Sequence, residues 1–185
     1  MNLTELWEIG KSHGILQKEN EFIPFLVFIE NSGIDFDNYL EIGTHAGGTA
    51  SIMCNIFKNV YGIDILKMNK LESKYSNFHP IIGNSENIEI IQKIKDLNIK
   101  FDILFIDGDH EPPHFLNDFN NYLPFVKDNG LIVFHDITYP KIREFYNNLC
   151  ENYKNLEIID HFKKDVSVIW CGLGILYNKT HLLDV

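Results

Sequence analysis

The chain has 185 residues, 45% of them hydrophobic, with a formal net charge of −10. That length supports one well-buried core, so a single domain spanning residues 1–185 is expected, and the acidic balance argues against nucleic acid as a partner. Cys54, Cys150 and Cys171 are odd in number and lack a C-x-x-C pair, which argues for a reducing compartment and against a disulfide framework or structural zinc site.

Residues 1–5 show neither the basic nor the apolar region of a signal peptide, and no apolar run approaches the ~20 residues of a membrane span. A cytoplasmic protein without membrane contact is expected. Residues 1–35 read as a helical segment, in which Phe22, Phe25, Leu26 and Ile29 fall at helical spacing. The core then occupies residues 36–185. Residues 39–42 are the first strand and run into Gly43-Thr44-His45-Ala46-Gly47-Gly48-Thr49. A helix over 49–57 turns Ile52, Met53, Ile56 and Phe57 inward, and a second strand over 60–63 ends at Asp64. Residues 80–83 form a short third strand, followed by a helix over 86–97 packed through Ile90, Ile91, Ile94 and Leu97. The fourth strand, 101–106, is apolar except for Asp102, as in a sheet covered on both faces.

The next helix begins near Pro112-Pro113 and buries Phe115, Phe119, Tyr122 and Leu123. Asp128-Asn129-Gly130 is a turn before a fifth strand over 131–134, and a helix over 141–153 follows. Residues 156–159 and 167–177 read as strands joined only through 161–165. A connection that short holds no crossover helix, so the pair is expected to be antiparallel. Trp7, Phe162 and Trp170 are assigned to packing, and Lys163-Lys164 to a solvated turn. The expected fold is α/β and Rossmann-like: a mostly parallel twisted sheet flanked by helices and closed by a C-terminal antiparallel hairpin.

An apolar strand, a glycine-rich turn, a helix and a second strand ending in an acid describe a βαβ unit suited to a nucleoside. The glycines let backbone approach a ligand, and Asp64 can accept hydrogen bonds from ribose hydroxyls. Dinucleotide redox chemistry and methyl transfer from S-adenosylmethionine both use such a unit. In the dinucleotide fingerprint the middle glycine admits the pyrophosphate, whereas this chain has His45 there. Glu41 suits a ligand bearing an ammonium group, which favours S-adenosylmethionine. A nucleotide-dependent oxidoreductase and a non-catalytic adenosyl-binding protein are the alternatives.

Three segments carry a family resemblance: Glu41 through Thr49, Phe101-Asp102-Ile103-Leu104-Phe105-Ile106-Asp107-Gly108-Asp109-His110, and Gly130-Leu131-Ile132-Val133-Phe134-His135-Asp136. Together they resemble class I S-adenosylmethionine-dependent methyltransferases, in the small-molecule O-methyltransferase branch that holds the cephalosporin-cluster, macrocin-type and rhamnosyl enzymes. The resemblance covers about residues 17 to 137. It implies that Glu41, Gly43 and Gly47, with Thr44 and Gly48 of the same turn, contact the amino-acid end of the donor. It implies Asp64 at the ribose, Asn84 and Ser85 around the adenine, and Asp107 at the donor and in catalysis. Asp107, His135 and Asp136 are the implied divalent-metal ligands, for magnesium or manganese, with His110 as a candidate base. The chain departs from the family pattern at His45, at Pro112 where an aromatic residue is common, and at His135 where an acid is usual.

An acceptor alcohol or phenol needs its proton removed before it attacks a sulfonium methyl; a metal and a histidine both serve that end. Asp107 and Asp136 follow neighbouring strands and point into the crevice where open α/β sheets bind ligands. Both aspartates could instead cap the turns that follow them. A hydroxylated small molecule, such as a sugar or phenol, is the expected acceptor, and a homo-oligomer is left open.

Overall fold

In the computed structural model, which describes residues 2–66, 69–160 and 171–178, the apolar runs pair into one seven-stranded sheet. The strands are β1 (Asn38–Ile42), β2 (Asn59–Asp64), β3 (Phe78–Ile82), β4 (Phe101–Ile106), β5 (Val126–Phe134), β6 (Asn155–Ile158) and β7 (Leu173–Tyr177). Their order is β3-β2-β1-β4-β5-β7-β6. Strands β1 to β5 pair in parallel, and β7 runs antiparallel to both β5 and β6. The expected architecture is therefore the one observed. The order reverses between β1 and β4, and this switch point opens a crevice at the carboxyl ends of the strands.

Side chains alternate across the sheet, so each central strand feeds two cores. Tyr39, Ile103 and Phe105 face α1 (Leu3–Ser12), α2 (Glu19–Asn31) and α3 (Gly48–Met53), where they meet Trp7, Phe22, Phe25 and Ile52. Leu40, Leu104 and Ile106 face α5 (Ile88–Asp96), α6 (His114–Tyr122) and α7 (Pro140–Cys150), meeting Ile90, Phe119 and Tyr146. Trp7 is a core residue, as read from the sequence. A short α4 (Asn69–Glu72) and the separate α1 were not anticipated. Among the described residues no helix is long and apolar enough to cross a membrane.

Several boundaries differ from the sequence reading, each for a physical reason. Strand β3 starts at Phe78 and contains Pro80, which an edge strand tolerates because one side of its backbone has no ladder to complete. Strand β5 starts at Val126, and Asp128-Asn129-Gly130 bulges out of it. The pairing jumps from Phe101↔Val126 to Ile103↔Leu131, with Asn129 at φ 63°. Helix α5 starts at Ile88 because Asn84 captures the Glu86 N–H in a turn at 2.8 Å. The expected antiparallel pair is present as β6 and β7. The strand expected over 167–177 is described only from Leu173, and residues 161–170, with Phe162, Lys163, Lys164 and Trp170, lie outside the described residues. Both sides of that segment are held by the buried Glu21 carboxylate, which accepts the Asp160 N–H at 2.9 Å and the Gly172 N–H at 3.0 Å.

Candidate active site

The turn after β1 is shaped by close approach. Gly43 has φ 86°, and a Cβ there would lie 2.1 Å from the Asp107 carbonyl oxygen, so the ends of β1 and β4 can meet only at glycine. His45, at φ 49°, donates its backbone N–H to Asp64 Oδ2 at 2.7 Å, while Asp64 Oδ1 accepts the Leu66 N–H at 2.8 Å. Each carboxylate oxygen keeps acceptor capacity for a ligand hydroxyl.

A cavity of about 400 Å³ opens at this end of the sheet. Gly43, His45, Asp64, Asn84, Ser85 and Asp107 line it together with the apolar side chains of Ile42, Ile63, Ile65 and Leu66. A smaller pocket of about 20 Å³ shares Gly43, His45 and Asp107 with it and adds Gln17, Glu41, Thr44 and Gly48. Of the residues expected at the donor, Gly47 alone borders neither space. It holds a left-handed turn at φ 90° against Leu71 and begins α3. Gly48 is needed for a different contact, since a Cβ would meet the Ile15 backbone at 2.3 Å. Glu41 is buried and accepts the Tyr39 hydroxyl at 3.1 Å; burial and the neighbouring Asp107 charge hold its carboxyl well above the usual range.

Four polar side chains converge beyond β4 and β5. One ligating atom each from Asp107, His110, His135 and Asp136 lies within 4.8 Å of all the others. His135 Nδ1 is 3.0 Å from Asp107 Oδ1 and 3.4 Å from Asp136 Oδ2. His110 Nε2 is 3.7 Å from Asp107 and 3.4 Å from Asp136, without a hydrogen bond to either. Asp136 takes φ 54°, a conformation that aspartate adopts more readily than most residues. Burial opposes charge on both Asp107 and His135, yet their mutual attraction prevails. Asp107 stays below the usual carboxylate range and His135 rises to about 10. Interaction with Asp107, against burial and with help from Asp136, also raises His110.

Two contributors escaped the sequence reading. Gln17 receives the Thr49 hydroxyl on Oε1 at 2.6 Å and donates Nε2 to Asp107 Oδ2 at 2.7 Å, which turns Oδ1 toward His135. Asp118 is buried on α6 and lines the larger cavity. A signal for Asp118 exists: it is the charged residue on the stripe Phe115, Phe119, Tyr122 that α6 turns inward. Gln17 carries no comparable local signal. Asp109, by contrast, accepts the Glu111 N–H at 2.9 Å and shapes the turn before α6.

The donor set of two carboxylates and two imidazoles, with an unpartnered buried His110 Nε2 among them, fits a divalent cation. Thr44 borders the smaller pocket and Asp118 the larger cavity, and Thr44 Oγ1 and Asp118 Oδ1 are buried without a hydrogen bond among the described residues.

Comparison with known proteins gives concordant likenesses. A family model described as a methyltransferase domain matches residues 40–137. An uncharacterized protein of Acanthamoeba polyphaga mimivirus is 39% identical over 111 residues, covering 53% of this chain and 50% of that protein. The chain thus spans about half the length of this curated relative. Among solved structures, the MycE methyltransferase from the mycinamycin biosynthetic pathway, in complex with Mg, SAH and mycinamycin VI, superposes with a TM-score of 0.69 at 18% identity. That match covers 100% of this chain and 57% of MycE. A putative caffeoyl-CoA O-methyltransferase from Staphylococcus aureus gives 0.67 at 18% identity, over 96% and 92% of the two chains. These structural likenesses concern the fold. With the family match reaching from β1 past the Asp136 turn, the chain belongs to the methyltransferase domain family.

Proposed function

We propose that this chain is an S-adenosylmethionine-dependent methyltransferase that methylates a hydroxyl of a small molecule with help from a divalent cation. The observation that carries the reading is that Asp107 joins two features: it lines the cavity with Gly43, Asp64, Asn84 and Ser85, and it belongs to the group with His110, His135 and Asp136. A nucleoside-sized cavity that ends at four clustered metal-ligating side chains suits a donor and a cation bound side by side. Membership of the methyltransferase domain family favours methyl transfer over hydride transfer or passive adenosyl binding. The magnesium and SAH in the MycE structure, and the O-methyltransferase name of the Staphylococcus protein, support the choice of ligands and of an oxygen acceptor.

In this reading the smaller pocket takes the amino-acid end of the donor against Glu41, Thr44 and Gly48, with Gly43 letting it reach Asp107. Gly47 contributes by shaping the turn. Asp64 receives the ribose hydroxyls, and Asn84 and Ser85 border the base, which slides between Ile42, Ile63, Ile65 and Leu66. The exposure of Ile65 and Leu66, 71% and 59%, has a use as the apolar wall for a flat ring. When bound, S-adenosylmethionine supplies an electrophilic methyl group. Asp107, His135 and Asp136 would hold a cation, which when bound acidifies a hydroxyl next to it. Nitrogen in the donor set favours manganese over magnesium. His110, beside Asp107 and Asp136, is the base in this reading, a role worth about 10²- to 10⁴-fold. Glu111 ties this loop to the β5–α7 turn by accepting from Tyr139 and Lys141, which steadies His110 beside the Tyr139 ring.

Calorimetric titration with S-adenosylmethionine, SAH and NAD, together with titration of Mn²⁺ followed by its electron spin resonance, tests this. One adenosyl ligand and one Mn²⁺ per chain are expected. Binding of NAD in place of the adenosyl ligands would overturn the reading.

A further inference from the structure

The smaller pocket is too tight for the part of the donor assigned to it. Its volume of about 20 Å³ holds roughly one water molecule. The amino-acid end of S-adenosylmethionine carries an ammonium, a carboxylate and the methylenes that join them to sulfur. What narrows the pocket is the connection between α1 and α2. Gly14, Ile15, Leu16 and Gln17 belong to its lining, together with Glu41 and Thr44. The connection is seated on the glycine turn itself. A Cβ at Gly48 would lie 2.3 Å from the Ile15 N and Cα, and one at Gly14 would lie 3.2 Å from the Ala46 Cβ.

The ends of this connection are firmly held and its middle is not. On one side α1 and α2 are anchored in the core through Trp7 and Phe22, and on the other Gln17 is bonded to Thr49 and Asp107. Between them, Gly14 and Ile15 give their N–H groups to the Lys11 and Gly10 carbonyls at 3.2 and 3.0 Å, and Leu16 is 68% exposed. Gly14 takes φ 73°, a left-handed value that glycine adopts without cost. We propose that residues 14–16 are a strap seated in the amino-acid pocket, which must lift about Gly14 and Gln17 before S-adenosylmethionine or SAH can enter; this rests on the donor-binding reading above. Affinity is then reduced in proportion to the fraction of molecules whose strap is seated, and whatever unseats the strap strengthens binding.

Calorimetry with SAH on the full chain tests the strap in both directions. Gly14→Ala penalises the seated form alone, through its left-handed φ and the nearby Ala46 Cβ. It should bind SAH about fivefold or more tightly than the unsubstituted protein, the scale of that backbone penalty. Gly14→Cys combined with Ala46→Cys brings two Cβ atoms within a few tenths of an ångström of disulfide spacing. Oxidation of this pair should hold the strap down and weaken SAH by about 10-fold or more, and reduction should restore binding. Gly14→Cys alone, oxidised in the same way, controls for Cys54, Cys150 and Cys171, and circular dichroism establishes that each variant is folded. A folded Gly14→Ala that binds SAH no more tightly than the unsubstituted protein overturns the strap, as does a cross-linked pair that binds as well as the reduced one; either leaves the donor site standing. Binding of SAH by none of these forms, the unsubstituted protein included, overturns the donor site as well.

Discussion

Strand β4 carries an aspartate near each end, and the two ends handle a buried carboxylate in opposite ways. At its start, Asp102 accepts the backbone N–H groups of Asp37 and Asn38 at 3.2 and 2.8 Å and pairs with Lys127 at 2.7 Å. Lys127 is in turn shared with Asp35 and Asp37. Beyond its other end, Asp107 faces His110, His135 and the second carboxylate of Asp136. A carboxylate whose acceptor sites are all filled from within the chain stabilises the fold. Two carboxylates and two imidazoles crowded together instead make a candidate site for a ligand.

The contrast breaks cleanly if function and stability respond separately to the two ends. The largest effect is expected at the crevice. Asp107→Asn and Asp136→Asn should each lower turnover on an identified acceptor by about 10²-fold or more, the scale of lost metal-assisted stabilisation. Mn²⁺ binding should fall in both; SAH affinity should change little in Asp136→Asn and fall by less than turnover in Asp107→Asn, whose carboxylate also borders the donor pocket. Asparagine suits position 136 because it tolerates the φ of 54° found there. Full activity of the unsubstituted protein in chelator would remove the metal from the reaction, and unchanged activity in both variants would remove the site.

At the other end the loss should be one of stability. Asp102→Ala strands Lys127 and two backbone donors, and breaking a buried pair costs about 3 kcal/mol or more. For a chain of this size that lowers Tm by roughly 6–12 °C. SAH affinity measured below the transition should be unchanged. A variant with normal Tm and lost ligand binding would reverse the roles assigned to the two ends.

Asp118 sharpens the comparison as a third buried carboxylate, carried by α6 and not by a strand end. Burial first, opposed by the Ser85 hydrogen bond and reinforced by Glu86, lifts its carboxyl from 3.8 to about 6. The folded chain thus holds this proton more tightly than the unfolded one. Stability is lost as pH rises between these two values, and the full penalty applies above about 6. Asp118→Asn removes it and should stabilise the protein at pH 7.5 by at most about 3 kcal/mol. The gain over the unsubstituted chain should shrink steadily as pH falls below 6, as urea midpoints at several pH values would reveal. A constant difference across that range would mean that the carboxyl does not titrate there.

How much of this was legible in the sequence depended on whether the cause was local. Gly43 announced itself because close backbone approach admits only glycine, and Asp107 and Asp136 because each ends an apolar run. The parallel core was legible from the alternation of strands and helices, and the antiparallel pair from a connection read over 161–165 as too short for a crossover helix. Boundaries were lost where the backbone departs from a regular run, as in the bulge at Asp128-Asn129-Gly130. The same Asn-Gly signal reads as a turn until the pairing of Phe101 with Val126 is known. Asp118 and Glu21 were readable in principle as charged residues on buried helical stripes, Glu21 beside Phe22 and Phe25. Their partners, however, come from distant segments. Gln17 had no such signal, because Asp107 lies 90 residues away.

Gln17 supplies the smallest and most discriminating test. Its amide takes the Thr49 hydroxyl and presents Nε2 to Asp107, so it sets which carboxylate oxygen faces the cluster without belonging to the cluster. Gln17→Leu keeps the bulk that packs in the smaller pocket and removes both hydrogen bonds. Groups that orient metal ligands are typically worth 10- to 100-fold in affinity or activity, and Gln17 should lie near the lower figure. Mn²⁺ affinity and kcat should each fall about 10-fold, with SAH affinity within about threefold of the original. Gln17→Glu places a carboxylate against the Asp107 carboxylate and should cost more than leucine in Mn²⁺-free stability, because like charges repel in a partly buried setting. If leucine leaves both Mn²⁺ affinity and kcat untouched, Gln17 only fills space, and Asp107 is oriented by His135 alone.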